Sequence, residues 1–199
     1  MGTWLCDHCH HHLAYIHPRW NLIELLHLPP ELNHVWSAVE YTDVATELVT
    51  QVKYQRHYCY TKVMAEIITE QLGNKLLTEK FDAFIPIPLS PSRQRWRGFN
   101  QARKLCCELS RCLPIPTQSR ILLRQGKNTS QVSKNLQDRH SFGQQFYLRS
   151  PVNVKGKHFC LVDDVITTGT TLKEASQVLQ QAGATTQCLT FAASISGKI

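Results

Sequence analysis

The sequence predicts an α/β protein, a parallel sheet flanked by helices on both faces, with a small irregular cap at the N-terminus. Short apolar runs at 82–88 (DAFIPIP), 157–162 (KHFCLV) and 187–193 (QCLTFAA) have the length and composition of strands. Between them lie stretches whose apolar residues recur at helical spacing. Strands alternating with helices along a chain are the pattern of a parallel sheet covered on both sides. The 199 residues are 42% hydrophobic and 19% charged, a globular mix that excludes a disordered tail or a fibrous repeat. No apolar run approaches the roughly 18 residues that cross a bilayer. The N-terminus lacks a charged-then-apolar leader pattern. The expectation is therefore a cytoplasmic chain with no membrane span.

Residues 1–36 are rich in His, Pro and Trp and show no clear period, so they are assigned to the cap, with the main domain over 37–199. Val44, Leu48, Val49 and Val52 mark one helix, and Val63, Ile67, Ile68 and Leu72 a second, separated by a polar turn over 54–57. The 82–88 strand ends in prolines, which cannot extend a ladder. Ala102, Leu105, Cys106 and Leu109 stripe a helix over 99–112. The segment 118–145 is polar, basic and weakly periodic, and reads as a mobile excursion over the core. The 157–162 strand is followed by a helix marked by Leu172, Ala175, Val178, Leu179 and Ala182 and closed by Gly183. The 187–193 strand completes the sheet.

Charge and cysteine are both unevenly placed. Twenty-two Lys and Arg against fifteen Asp and Glu give a net charge of +7. Between Arg93 and Arg139 there are eleven bases and two acids, so this one segment carries the whole excess. It is read either as a solvated face or as a surface for phosphates or nucleic acid. The eight cysteines are expected to be reduced thiols. Cys6 and Cys9 stand apart as a Cys-x-x-Cys pair followed by His10, His11 and His12. Two thiolates at that spacing can hold one edge of a tetrahedral Zn²⁺ site, which needs two further ligands.

The chemistry is concentrated in 159–172 (FCLVDDVITTGTTL). An apolar strand runs into Asp163 and Asp164, then into a loop of Thr and Gly, then into a helix. Ligands of open α/β sheets bind beyond the carboxyl ends of the strands, where this order places the acids. Consecutive backbone N–H groups at a helix N-terminus, with Thr167, Thr168, Thr170 and Thr171 as further donors, suit a phosphate monoester. Gly169 lets the backbone approach that phosphate without a Cβ. Asp163 and Asp164 suit a pair of sugar hydroxyls.

This stretch resembles the phosphoribosyl-pyrophosphate signature of type I phosphoribosyltransferases. Ile85-Pro-Ile-Pro-Leu89 and Arg97-Gly-Phe-Asn-Gln101, with Lys53-Tyr54 and Arg124, Thr129, Gln131 and Arg139, are similar to the pattern of the ComF/GntX family. The two resemblances cover about residues 40–195 and identify the chain as a member of that family. They imply a Rossmann-like phosphoribosyltransferase fold. They give Asp163 and Asp164 the ribose hydroxyls, and Val165, Ile166, Thr167, Thr168, Gly169, Thr170 and Thr171 the 5′-phosphate. Mg²⁺ in such enzymes rides mainly on the pyrophosphate and the ribose hydroxyls. Members typically begin with a four-cysteine zinc knuckle, of which Cys6 and Cys9 are present here, and Phe142 stands near where members place Asn.

In such enzymes the loop after the first core strand holds pyrophosphate, and 89–98 occupies that place. Ser90, Arg93, Arg95 and Arg97 are therefore candidates for pyrophosphate, since arginine forks suit oxyanions. The same residues, with Trp96 and Phe99 as stacking rings, are alternatively candidates for single-stranded DNA. That alternative accords with the family's implication in DNA uptake during natural transformation, with DNA-uptake proteins as further partners. Arg124 and Lys127 lie in the excursion, where such enzymes carry a lid over the reacting sugar.

Overall fold

The computed structural model describes residues 5–55, 57–126 and 145–195. After a short helix α1 (Asp7–His11), the chain passes through α2 (Leu22–Leu25) and a 3₁₀ turn at Pro30–Leu32 into strand β1 (Val35–Glu40). Helices α3 (Asp43–Gln55) and α4 (Cys59–Thr78) follow, then β2 (Ala83–Pro86), α5 (Pro91–Arg97) and α6 (Gln101–Cys112). A small hairpin of β3 (Leu122–Arg124) and β4 (Phe146–Leu148) precedes β5 (His158–Ile166), α7 (Thr170–Gln181) and β6 (Thr185–Ala193). The main sheet runs β1-β6-β5-β2, every neighbouring pair parallel. The expected α/β architecture, a parallel sheet flanked by helices, is what forms.

Alternate residues of each strand face opposite layers, as the period of two requires. On one face Phe84, Cys160, Val162, Leu189 and Phe191 pack against Leu48, Val49 and Val52 of α3, Ile68 and Leu72 of α4, and Leu105 and Leu109 of α6. On the other, Ile85, Phe159, Leu161 and Cys188 meet Leu172, Val178 and Leu179 of α7, Leu122 and Phe146 of the hairpin, and Ile16, Leu22, Leu26, Leu28 and Leu32 of the N-terminal segment. That segment is a structural layer: Ile16 donates to the Ala38 carbonyl at 3.0 Å and Glu40 to that of Ala14 at 2.7 Å. Position 36, where the sequence reading divides cap from domain, falls inside β1. Five of the six β1 residues are buried, so the strand has no polar alternation to announce it.

The stretch 89–98 departs from its expectation as a loop. It folds as α5 because Ser90 caps it, accepting from Arg93 N at 3.4 Å, Pro91 stands at the first turn, and Gly98 ends it at φ 77°. The next helix starts in the same manner. Asn100 accepts from Arg103 N at 3.0 Å, while its amide donates to the Ile87 carbonyl at 2.8 Å, latching α6 to the end of β2.

Candidate functional site

Strand β5 carries the two acids to the carboxyl end of the sheet and continues to Ile166, four residues further than the sequence suggests; Asp163 lies in register with Thr190 of β6. Beyond it, residues 167–169 turn into α7. Gly169 occupies the N-cap at φ 72° and has no side chain to cap the helix, so the first-turn N–H groups of α7 receive no side-chain cap. Thr167, Thr168 and Thr170 are exposed around this helix end, with the Thr168 and Thr170 hydroxyls 3.0 Å apart. Asp163, Val165, Ile166 and residues 167–172 line one cleft of about 270 Å³, open to solvent.

The structure gives Gly169 a reason the sequence does not. A Cβ there would meet Leu32 Cδ1 at 3.1 Å, Leu28 Cδ2 at 3.2 Å and Pro29 Cδ at 3.3 Å. The glycine thus serves a left-handed turn pressed onto the N-terminal layer, as well as presenting bare backbone to the cleft.

The acids are chemically distinct. Asp164 is buried at 5% exposure, and its Oδ2 lies 3.1 Å from Lys53 Nζ of α3. Asp163 is half-buried at the cleft edge, and its Oδ1 accepts the Asp164 N–H at 2.9 Å. Burial first, and then the Asp164 charge, push the Asp163 carboxyl up to about 7, against the opposing pull of that N–H, Lys53 and Arg124. Asp163 therefore holds a proton near neutrality until a cation or a ligand donor comes to it.

Arg124 comes within electrostatic reach of Asp163 from β3, stacked over Phe146 at 4.9 Å and bonded to the Gln145 carbonyl oxygen of its side chain. Burial and the like charge of Arg93 lower the affinity of Arg124 for its proton, so α5 brings Arg93 toward the same region. Arg93 and Arg95 are exposed, whereas Arg97 is half-buried. Its guanidinium carbon lies 5.7 Å from the Tyr54 ring and 6.0 Å from that of Trp96. Phe99 is buried, its ring 4.5 Å from Tyr58, and is closed to stacking by a ligand.

The profile of the phosphoribosyl transferase domain family matches residues 101–198. The chain is 30% identical over 187 residues to the DNA utilization protein YhgH of Shigella flexneri, covering 92% of this chain and 80% of that one. It is likewise 30% identical over 183 residues to competence protein F of Haemophilus influenzae, covering 89% and 79%. The chain belongs to the ComF family. Among solved structures, adenine phosphoribosyltransferase from Saccharomyces cerevisiae superposes with a TM-score of 0.45 at 15% identity, covering 70% of this chain and 71% of that one.

The family's Arg-Gly-Phe-Asn-Gln run is largely architectural in this ComF chain. Arg97 packs on rings, Gly98 turns, Phe99 fills the core, Asn100 latches two elements, and Gln101 is buried. Lys53 of the Lys-Tyr element is the site residue that sequence reading left without a role. Its signal was only a basic residue in the last turn of a helix, 111 positions before the acid it meets. Lys127, Thr129, Gln131, Arg139 and Phe142 lie outside the described residues.

Cys6 caps α1 and accepts from Cys9 N at 3.5 Å, while His10 faces Tyr15 at 3.0 Å and His12 bonds the His8 carbonyl at 2.8 Å. Among the described residues no three His, Cys, Asp or Glu side chains gather as a metal would require. No helix among them is long and apolar enough to cross a membrane.

Proposed function

We propose that the chain binds phosphoribosyl pyrophosphate or a related ribose 5-phosphate in the β5–α7 cleft. The observation that carries this reading is the conjunction of a helix N-terminus without a side-chain cap, ringed by Thr hydroxyls, with two acids one strand-end away. The helix end and its positive pole take the 5′-phosphate. Asp163 and Asp164 accept the 2′- and 3′-hydroxyls. In a transfer reaction an acceptor nucleophile would bond to the anomeric carbon as its bond to pyrophosphate breaks. Arg93 and Arg124 then face the charge that builds on the departing group.

Mg²⁺ fits this arrangement, since consecutive carboxylates stand at the strand end and Asp163 lines a cleft open to solvent, with hard oxygen donors of the kind this cation takes. It would ride on ligand oxygens beside Asp163 and Asp164, and supply screening of the pyrophosphate charge. The eight free thiols accord with a cytoplasmic setting. Calorimetric titration of phosphoribosyl pyrophosphate with Mg²⁺ is expected to show micromolar binding to the wild type, lost in the Asp163→Asn/Asp164→Asn variant. A wild type that binds nothing overturns the reading.

A second reading, single-stranded DNA binding in natural competence, is favoured by the patch beside α5. Tyr54 and Trp96 are 59% and 61% exposed, with ring centroids 5.9 Å apart and Arg97 against both. Exposed rings interleaved with arginine suit stacked bases and a phosphate backbone. The names of the competence and DNA-utilization relatives support the same setting. Charge removal at Arg93, Arg95 and Arg97 is expected to flatten the salt dependence of oligonucleotide binding. An unchanged slope counts against DNA at this surface.

A further inference from the structure

Lys53 stands in the last turn of α3, upstream of the residues that match the phosphoribosyl transferase domain. A lysine at a helix end ordinarily extends its ammonium into water. Here the side chain turns inward, only 18% exposed, to an Asp164 side chain that is 7% exposed. Withdrawing both charges from water carries a desolvation cost that close pairing must offset.

The contact is nevertheless incomplete. Nζ lies 3.1 Å from Oδ2, yet no donor among the described residues reaches that buried oxygen at a hydrogen-bonding angle. Oδ2 thus has its countercharge at contact distance and no further partner, so the ammonium alone decides where this half of the carboxylate sits. Asp163 differs, since its Oδ1 already accepts a backbone N–H.

Resting on the sugar-phosphate reading above, we infer that Lys53 is a positioning residue for the sugar diol. It pins the Asp164 side chain through the buried Oδ2, which fixes where the carboxylate stands for a ribose hydroxyl. Without the ammonium, Asp164 Oδ2 loses its ion-pair partner and the side chain loses the contact that fixes its rotamer. The role runs through one oxygen, so it discriminates between ligands with and without the diol.

Calorimetric titration with ribose 5-phosphate, and with 2,3-dideoxyribose 5-phosphate as the same phosphate without the diol, tests this. Lys53→Met is expected to weaken ribose 5-phosphate about tenfold, the loss of a charge-assisted contact. Lys53→Arg should stay within about threefold, because it restores the cation. Asp164→Asn with Lys53→Met should bind no more weakly than Asp164→Asn alone, because one acts through the other. The dideoxy ligand should change by less than about twofold in every variant, since Lys53 acts through Asp164 on the diol that this ligand lacks. Equal weakening of both ligands by Lys53→Met, or losses that multiply in the double variant, would overturn the inference. If Lys53→Met does not fold, Lys53→Gln takes its place in the same cycle. A wild type that fails to distinguish the two ligands refutes the sugar-phosphate reading itself, and is recognised because no variant is needed to see it.

Discussion

Replacing Asp163 by Asn should stabilise the ligand-free protein, and only above mildly acidic pH. In the folded chain the carboxyl is pushed from 3.8 to about 7, by burial first and by Asp164 second. A raised value means that the folded state holds this proton more tightly than the unfolded chain does. Its contribution is fully present below about pH 4 and is lost as pH rises through 7. At about 1.4 kcal/mol per pH unit, the full interval corresponds to about 4 kcal/mol. Asp163 is half-buried and open to the cleft, so solvent screening reduces this to about 2 kcal/mol.

Asparagine keeps the shape and the acceptor for the Asp164 N–H but never ionises. Differential scanning calorimetry of wild type and Asp163→Asn at pH 4.5 and pH 8 reads the effect as a difference between variants, which cancels the other titrating groups. Near-equal Tm is expected at pH 4.5, and a variant more stable by about 4–8 °C at pH 8 for a chain of this size. The same substitution should abolish ribose 5-phosphate binding, so stability would rise as function falls. A Tm difference that does not change with pH would refute the reasoning, as would a variant less stable at pH 8.

Asp82 should behave with the opposite sign. Its carboxylate accepts from His158 N at 2.8 Å and from Lys157 Nζ at 2.9 Å, and these contacts hold its protonation below the ordinary range. Asp82→Ala is expected to cost about 1 kcal/mol at pH 7 by thermal melting, a deficit that shrinks as pH falls below about 4. Trp96→Ala should weaken a labelled single-stranded oligonucleotide about tenfold by fluorescence anisotropy while leaving ribose 5-phosphate within twofold, given that one stacked base is worth about 1–3 kcal/mol. Gly98→Ala and Gly169→Ala both place an alanine at positive φ, but only the second also meets packed atoms. Thermal melting should show Gly169→Ala costing at least about 1 kcal/mol more than Gly98→Ala, with the excess reduced when Leu32→Ala is its background.

The local parts of the fold were legible. Asp163, Asp164 and the Thr–Gly turn declare themselves because a strand end, two acids and a helix start are contiguous, so the residues that line the cleft lie within ten positions. Helices α6 and α7 show clear stripes because each faces the sheet on one side only. What escaped was of two kinds. Strand β1 is buried on both faces and so offers no period. Helix α5 is too short and too charged for a stripe, although its Ser90, Pro91 and Gly98 are the boundary residues that a seven-residue helix uses. The Lys53–Asp164 pair joins positions 111 apart, and no local rule reports such a contact.

Gly169 shows how these two kinds of information meet in the site. Read locally, it is a glycine that clears space for a phosphate. In three dimensions its missing Cβ faces inward, onto Leu28, Pro29 and Leu32, which an aperiodic N-terminal stretch delivers to the back of the loop. Leu32 is fully buried, and Lys173 in the first turn of α7 pairs with Glu31 at 2.8 Å, so the same stretch grips the loop and the helix it begins. The geometry of the anion-binding end of α7 is therefore set from two sides. The Thr hydroxyls and backbone N–H groups define what the cleft offers a ligand. The segment around Leu28–Leu32 fixes where that offer stands relative to Asp163, so residues that never meet the ligand hold its two halves in register.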